Sequence, residues 1–161
     1  MERWSAPLPP YDDGHMSLDL PDHLFTAIDH VGIAVADLDE AKAFYRDIFG
    51  METVHEETNE DQGVREAMVA VGDSGGYLQL LAPLDDTSTL AKFLRRRGPG
   101  VQQLAYRVTD LEAVSRVLRE RGVRLLYDGP RRGTSGSLVN FVHPKDAGGV
   151  LVELVEAASI V

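Results

Sequence analysis

The sequence predicts an α+β domain in which two tandem βαβββ modules join into one cupped, mixed β-sheet. Three observations predict it. A shift of 73 residues lays Asp29-His30-Val31-Gly32-Ile33-Ala34-Val35 onto Gln102-Gln103-Leu104-Ala105-Tyr106-Arg107-Val108, and Asp37-Leu38 onto Asp110-Leu111. Each of these segments leads into an amphipathic helix that a glycine ends, Gly50 in one copy and Gly122 in the other. Three short apolar runs then follow each glycine, separated by polar or glycine-rich turns. Self-similarity that keeps order, element type and approximate length is the mark of a duplicated unit. A chain of 161 residues with 43% hydrophobic content suffices for one well-buried core and is short for two. A single domain is therefore expected over residues 26–157, with modules at about 26–84 and 99–157. Residues 1–25, with five acids, one base and no apolar periodicity, read as a disordered tail.

Taken in order, the first strand is residues 28–35, where His30, Gly32 and Ala34 share one face. Asp37 can cap the helix that follows, with Glu40 three residues on, and Leu38, Ala41, Phe44 or Tyr45, and Ile48 fall on one helical face. Residues 51–55 form a second strand, the acidic stretch 56–63 a loop, 64–71 a strand, 72–76 a turn and 77–82 a strand closed by Pro83. In the second copy, the strand at 102–108 precedes a helix with Leu111, Val114, Val117 and Leu118 on one face. Residues 123–127 read as a strand and 129–136 as a Gly/Pro/Arg loop. Strands at 138–143 and 150–156 close the copy, joined by a turn at 144–149.

Composition narrows the function classes. With no cysteine, disulfides, thiolate metal sites and a cysteine nucleophile are excluded. The N-terminus lacks the basic-then-apolar layout of a signal peptide and no apolar run reaches the roughly 18 residues of a membrane span, so a soluble, cytoplasmic protein is expected. The net charge of −10 repels nucleic acid and anionic membranes. Two basic clusters, Arg95-Arg96-Arg97 and Arg131-Arg132, read equally as solvated charge or as phosphate-binding groups.

Strand geometry makes a sharper statement. If one face of each half-sheet rests on its own helix, the other lines a shared cup, and cup-facing residues alternate along each strand. The repeat then pairs His30 with Gln103, Gln79 with Glu153 and Glu66 with Asn140, gathering His30, Glu66, Gln79, Gln103 and Glu153 in the cup. A plainer reading stands beside this one: a histidine in an apolar strand is often a satisfied core residue, and Glu153 can sit at a solvent-facing sheet edge. Yet Glu153 interrupts Val150-Leu151-Val152-Glu153-Leu154-Val155, where an ionised carboxylate is costly without a cation or hydrogen bonds. A His/Gln/Glu donor set suits a divalent metal ion such as Mn²⁺, Co²⁺ or Ni²⁺, with positions left open for substrate.

The repeat, the strand Asp29 to Val35, the segment Glu60-Asp61-Gln62-Gly63-Val64-Arg65-Glu66, the strand Tyr77-Leu78-Gln79-Leu80-Leu81 and the run from Pro130-Arg131-Arg132-Gly133 through His143-Pro144-Lys145-Asp146 to Glu153 together resemble the methylmalonyl-CoA epimerases of the vicinal oxygen chelate superfamily. The resemblance implies a cupped sheet of two βαβββ modules, a homodimer, and proton transfer on methylmalonyl-CoA or a related 2-substituted malonyl thioester. It matches His30, Gln79 and Glu153 to family metal ligands and Glu66 to a proton-transfer carboxylate, with Glu153 placed to act from the other side of the substrate. The chain departs from the pattern at Gln103, in Gln102-Gln103 where the family has a His-His pair. An amide oxygen is a harder and weaker donor than imidazole, which moves metal preference away from nitrogen-loving ions. For the coenzyme A arm, Arg131, Arg132 and Lys145 can meet phosphates and Ser135 can donate a hydrogen bond. Two alternatives stay open: a diverged acyl-thioester enzyme using an enolate for decarboxylation or isomerisation, and a non-catalytic binder of a CoA ester or metabolite.

Overall fold

The computed structural model describes residues 24–158. Eight strands, β1 (Phe25–Ala34), β2 (Thr53–Asn59), β3 (Val64–Ala70), β4 (Tyr77–Pro83), β5 (Gly100–Val108), β6 (Arg131–Arg132), β7 (Leu138–Val142) and β8 (Val152–Glu156), form one curled sheet in the order β2-β3-β4-β1-β5-β8-β7-β6. Its centre is the antiparallel pair β1 and β5, each flanked by the parallel last strand of its own module, β4 and β8. This is the predicted α+β architecture, with the two copies meeting along their equivalent first strands.

Helix α1 (Leu38–Phe49) starts where Asp37 accepts a hydrogen bond from the Glu40 amide and stops at Gly50, whose left-handed φ of 66° costs a glycine nothing. Helix α3 (Leu111–Glu120) starts the same way, with Asp110 accepting from the Ala113 amide. Leu38 of α1 packs on Ala67, Val69 and Leu80, while Leu111 and Val114 of α3 pack on Val108, Val142 and Leu154. Both helices thus cover one side of the sheet and leave the other side as the cup.

Several expectations need correction. The domain begins earlier than residue 26: Leu24 is buried in the α3 core, its carbonyl accepts the Thr109 amide, and Phe25 opens β1 opposite Val108. Residues 1–23 of the expected tail lie outside the described residues. β2 runs on to Asn59 through the acidic stretch expected as a loop, because it is an edge strand whose backbone ladders on β3 from Thr53↔Val69 to Asn59↔Val64. Its outward carboxylates can stay solvated or ion-paired, as Glu56 does with Lys42 and Arg65. Between the modules lies an element the repeat does not contain, α2 (Thr89–Arg97), capped by Ser88 and ended at Gly98.

The expected strand at 123–127 does not form. Only Leu125 bridges to Val142, and the outer strand of this module is the two-residue β6, inside the segment expected as a loop. Asn140 explains the difference. Its side chain accepts from the Tyr127 amide at 3.2 Å and donates to the Tyr127 carbonyl at 3.0 Å, standing in for a ladder rung. Asn140 therefore faces away from the cup, not into it as Glu66's counterpart; Val139 and Phe141 take the cup face beside Ala105 and Val155. Asn140→Ala is expected to cost about 2 kcal/mol in denaturant unfolding by leaving two backbone groups unpaired; an unchanged midpoint would remove this account.

Candidate active site

The cup gathers five polar side chains on five strands: His30 from β1, Glu66 from β3, Gln79 from β4, Gln103 from β5 and Glu153 from β8. All are buried, at 1% to 6% exposure. Buried polar groups survive only when bonded, and these form one continuous chain. His30 Nε2 lies 3.0 Å from Glu153 Oε2, and Gln103 Nε2 donates to that same oxygen at 2.5 Å. Gln103 Nε2 also donates to Gln79 Oε1 at 3.1 Å, and Gln79 Nε2 donates to Glu66 Oε2 at 2.9 Å. The site thus runs from one carboxylate to the other through two amides.

Three further residues complete it that sequence reasoning missed. Thr134 donates to Glu66 Oε1 at 2.7 Å and accepts from Gln79 Nε2 at 2.9 Å, so the loop after β6 closes over the cup. Asp29 Oδ1 lies 2.9 Å from His30 Nδ1, while Arg107 donates to Asp29 Oδ2 at 2.7 Å. Gly32 is the third. It pairs directly with Gln103 across β1 and β5, and a Cβ there would come within 2.4 Å of Gln103 Cγ. A glycine in the middle of a buried strand was the available signal for close approach of another group. Gly32→Ala is expected to push Gln103 out of the network and cost about 2 kcal/mol of stability, read by thermal unfolding; an unshifted melting temperature would count against it.

Electrostatics separates the two ends. Burial alone would lower the basicity of His30, but its hydrogen bonds to Asp29 and Glu153 and their charges overcome this and raise its pKa to about 9. Burial also opposes ionisation of Asp29, yet the hydrogen bonds from His30 and Arg107 outweigh it and hold that carboxyl below its usual range. Glu66 behaves oppositely. Burial raises it first, the Thr134 hydrogen bond partly offsets this, and the charges of Glu57 and Glu153 add to the rise, giving a pKa of about 7. A carboxyl poised there can both take and return a proton near neutrality.

As a cation site the residues fit in donor type and spacing. His30 Nε2, Gln79 Oε1, Glu153 Oε2 and the Gln103 amide lie 2.5 to 3.4 Å from one another along the contacts above, with Gln103 Nε2 3.4 Å from His30 Nε2. Adjacent ligands on an ion with bonds of about 2.1 Å stand about 3 Å apart. Reversing the Gln103 amide turns its oxygen inward as a ligand. Among the described residues there is no metal-type cluster of three or more His, Asp or Glu side chains, since two of these four donors are amides.

The residues expected for coenzyme A scatter. Arg131 lies 5.0 Å over the Tyr127 ring; Arg132 borders a cleft lined by Glu57, Glu60 and Asp61. The Ser135 amide donates to Glu57, with Ser135 in a left-handed conformation at φ 55°, and Lys145 sits in a 3₁₀ turn at Pro144–Asp146. No helix among the described residues is long and apolar enough to cross a membrane.

A curled sheet of paired βαβββ modules with polar donors converging in its cup defines a class, and residues 29–141 match the glyoxalase/bleomycin resistance protein/dioxygenase superfamily. The crystal structure of methylmalonyl-CoA epimerase from Mycobacterium tuberculosis superposes with a TM-score of 0.84 at 61% identity, over 87% of this chain and 93% of that one. The ethylmalonyl-CoA/methylmalonyl-CoA epimerase of Cereibacter sphaeroides is 38% identical over 129 residues, 79% of this chain and 95% of that protein. A methylmalonyl-CoA epimerase solved in complex with methylmalonyl-CoA and NH4+ is 48% identical, with a TM-score of 0.82 over 84% of this chain and 97% of that one. This chain belongs to the methylmalonyl-CoA epimerase family of that superfamily.

Proposed function

We propose that this protein interconverts the stereoisomers of methylmalonyl-CoA or a related 2-substituted malonyl thioester, with Glu66 and Glu153 as the proton-transfer pair. The observation that carries the proposal is the placement of two buried carboxylates on β3 and β8, one in each module, with Glu66 held near neutrality. At C2 of such a substrate, one carboxylate takes the proton and the C–H electron pair enters the enolate. The other carboxyl group, in its acid form, delivers a proton to the opposite face, so the new C–H bond forms with inversion and the two groups exchange protonation states. The amides of Gln79 and Gln103 tie the carboxylates into one hydrogen-bonded frame, and His30 stays beside Glu153.

We assign His30, Gln79, Gln103 and Glu153 as the residues that would hold a divalent cation such as Co²⁺, Mn²⁺ or Ni²⁺. When bound, it supplies positive charge against the thioester and carboxylate oxygens as the enolate forms. With two amides in the set, harder ions are favoured over those that prefer nitrogen. We take the acyl-CoA as the small-molecule partner and a homodimer as the assembly. The apolar face that Phe44, Ile48 and Phe49 expose on α1 supports the dimer.

Incubation with methylmalonyl-CoA in D₂O is the test. Deuterium should appear at C2 together with inversion of the stereocentre. Exchange without inversion would support enolate chemistry other than epimerisation, and absence of exchange under any metal would sink the proposal.

A further inference from the structure

Repeated turnover sets a requirement that Glu66 and Glu153 cannot meet alone. Each inversion leaves the two groups with exchanged protonation states, so Glu66 must lose a proton to water before the same stereoisomer can react again. Yet Glu66 is only 1% exposed. Its proton needs a path.

Three groups meet the Glu66 carboxyl: the Thr134 hydroxyl, the Gln79 amide and the carboxyl of Glu57. The Gln79 amide donates a hydrogen bond but gives up no proton, and the Thr134 hydroxyl sits between Glu66 and that same amide, so both lead back into the network. Glu57 leads outward. It stands directly opposite Glu66 across β2 and β3, and protonated Glu66 donates to it. Glu57 in turn lies 2.5 Å from His55 Nε2, two residues back on the same face of β2. The side chains of Glu57 and His55 are 27% and 38% exposed, so this line runs from a sealed carboxyl to solvent. Burial opposes ionisation of Glu57, but hydrogen bonds from His55 and the Ser135 amide outweigh it and hold its carboxyl below the usual range. A ready acceptor therefore stands beside Glu66. A plainer role for Glu57 is to hold the loop over the cup through the Ser135 amide, at 3.2 Å. That contact does not call for His55, and a partly exposed ion pair on an edge strand adds little stability.

We infer that Glu57 and His55 form the exit through which Glu66 returns the substrate's proton to water. This rests on the proton-transfer reading above. The proton taken from C2 passes from the Glu66 carboxyl to a Glu57 carboxylate oxygen and on to His55 Nε2, while the imidazole releases one from Nδ1 to water or a buffer base. The net change is one proton moved from Glu66 to solvent.

Glu57→Gln keeps an acceptor for the Ser135 amide but takes up no proton. Its kcat for methylmalonyl-CoA should fall about tenfold with KM falling in step, because only the return of free enzyme is slowed. Added imidazole should restore kcat in this variant and leave wild type unmoved, and His55→Gln should behave alike. An unchanged kcat would overturn the inference. So would a loss in kcat/KM that imidazole does not relieve, which would leave Glu57 as a support for the loop. If wild type neither exchanges nor inverts methylmalonyl-CoA, the substrate reading fails separately. The exit is then read without substrate, from the infrared carbonyl band of protonated Glu66 that Glu66→Gln removes. On rapid transfer to D₂O this band should shift about tenfold more slowly in Glu57→Gln than in wild type. Equal rates would rule the exit out.

Discussion

Glu66→Gln is expected to slow C2 proton exchange by about 10³-fold while making the protein more stable above neutral pH. The two effects have one cause. In the folded protein the Glu66 pKa is raised from 4.5 to about 7, so the native state holds a proton that the unfolded chain has released. Between those values the native state binds more protons, and stability falls as pH rises, by about 3 kcal/mol in all. Glutamine keeps the size, keeps one acceptor and can donate to Glu57 as protonated Glu66 does. It should therefore match wild type near pH 4.5 and exceed it at pH 8. Chemical denaturation at the two pH values reads the stability, and deuterium exchange reads the chemistry. Wild-type activity should correspondingly drop below about pH 7 in the direction that Glu66 initiates as base. A variant that keeps its activity, or a stability gain independent of pH, would refute the assignment.

Glu153→Gln should be the second large effect, a loss of about 10²- to 10⁴-fold in exchange with a stability cost of about 3 kcal/mol at pH 6. Here the sign is reversed. His30 is raised from 6.5 to about 9 by Asp29 and Glu153 against the opposing cost of burial, so its ion pair stabilises fully below 6.5 and fades as pH rises through about 9. Unfolding of the chelator-treated variant and wild type at pH 6 and pH 10 should show a wide gap at the lower pH and a narrow one at the higher. Equal gaps would show that the pair carries no charge and that Glu153 contributes packing alone.

Much of this site was legible in the chain. The 73-residue repeat put His30 opposite Gln103, and the structure brings those side chains within 3.4 Å. The alternation that placed Glu66, Gln79 and Glu153 on one face also held, since all three are buried in one network. It failed at Asn140, where a one-residue slip in the counterpart strand turns every side chain to the other face. That slip, and the missing strand at 123–127, trace to a side chain replacing a backbone rung, which no periodicity records.

The sequence by itself determined most element types, the duplication and the sheet face on which most polar residues gather, because side-chain alternation and helix capping are properties of a few adjacent residues. The tertiary structure alone decided how those residues are poised. His30 and Glu153 are 123 positions apart and Thr134 and Glu66 are 68 apart. Proton affinity depends on such distances and on exclusion of water, and both arise only when the strands close into a cup.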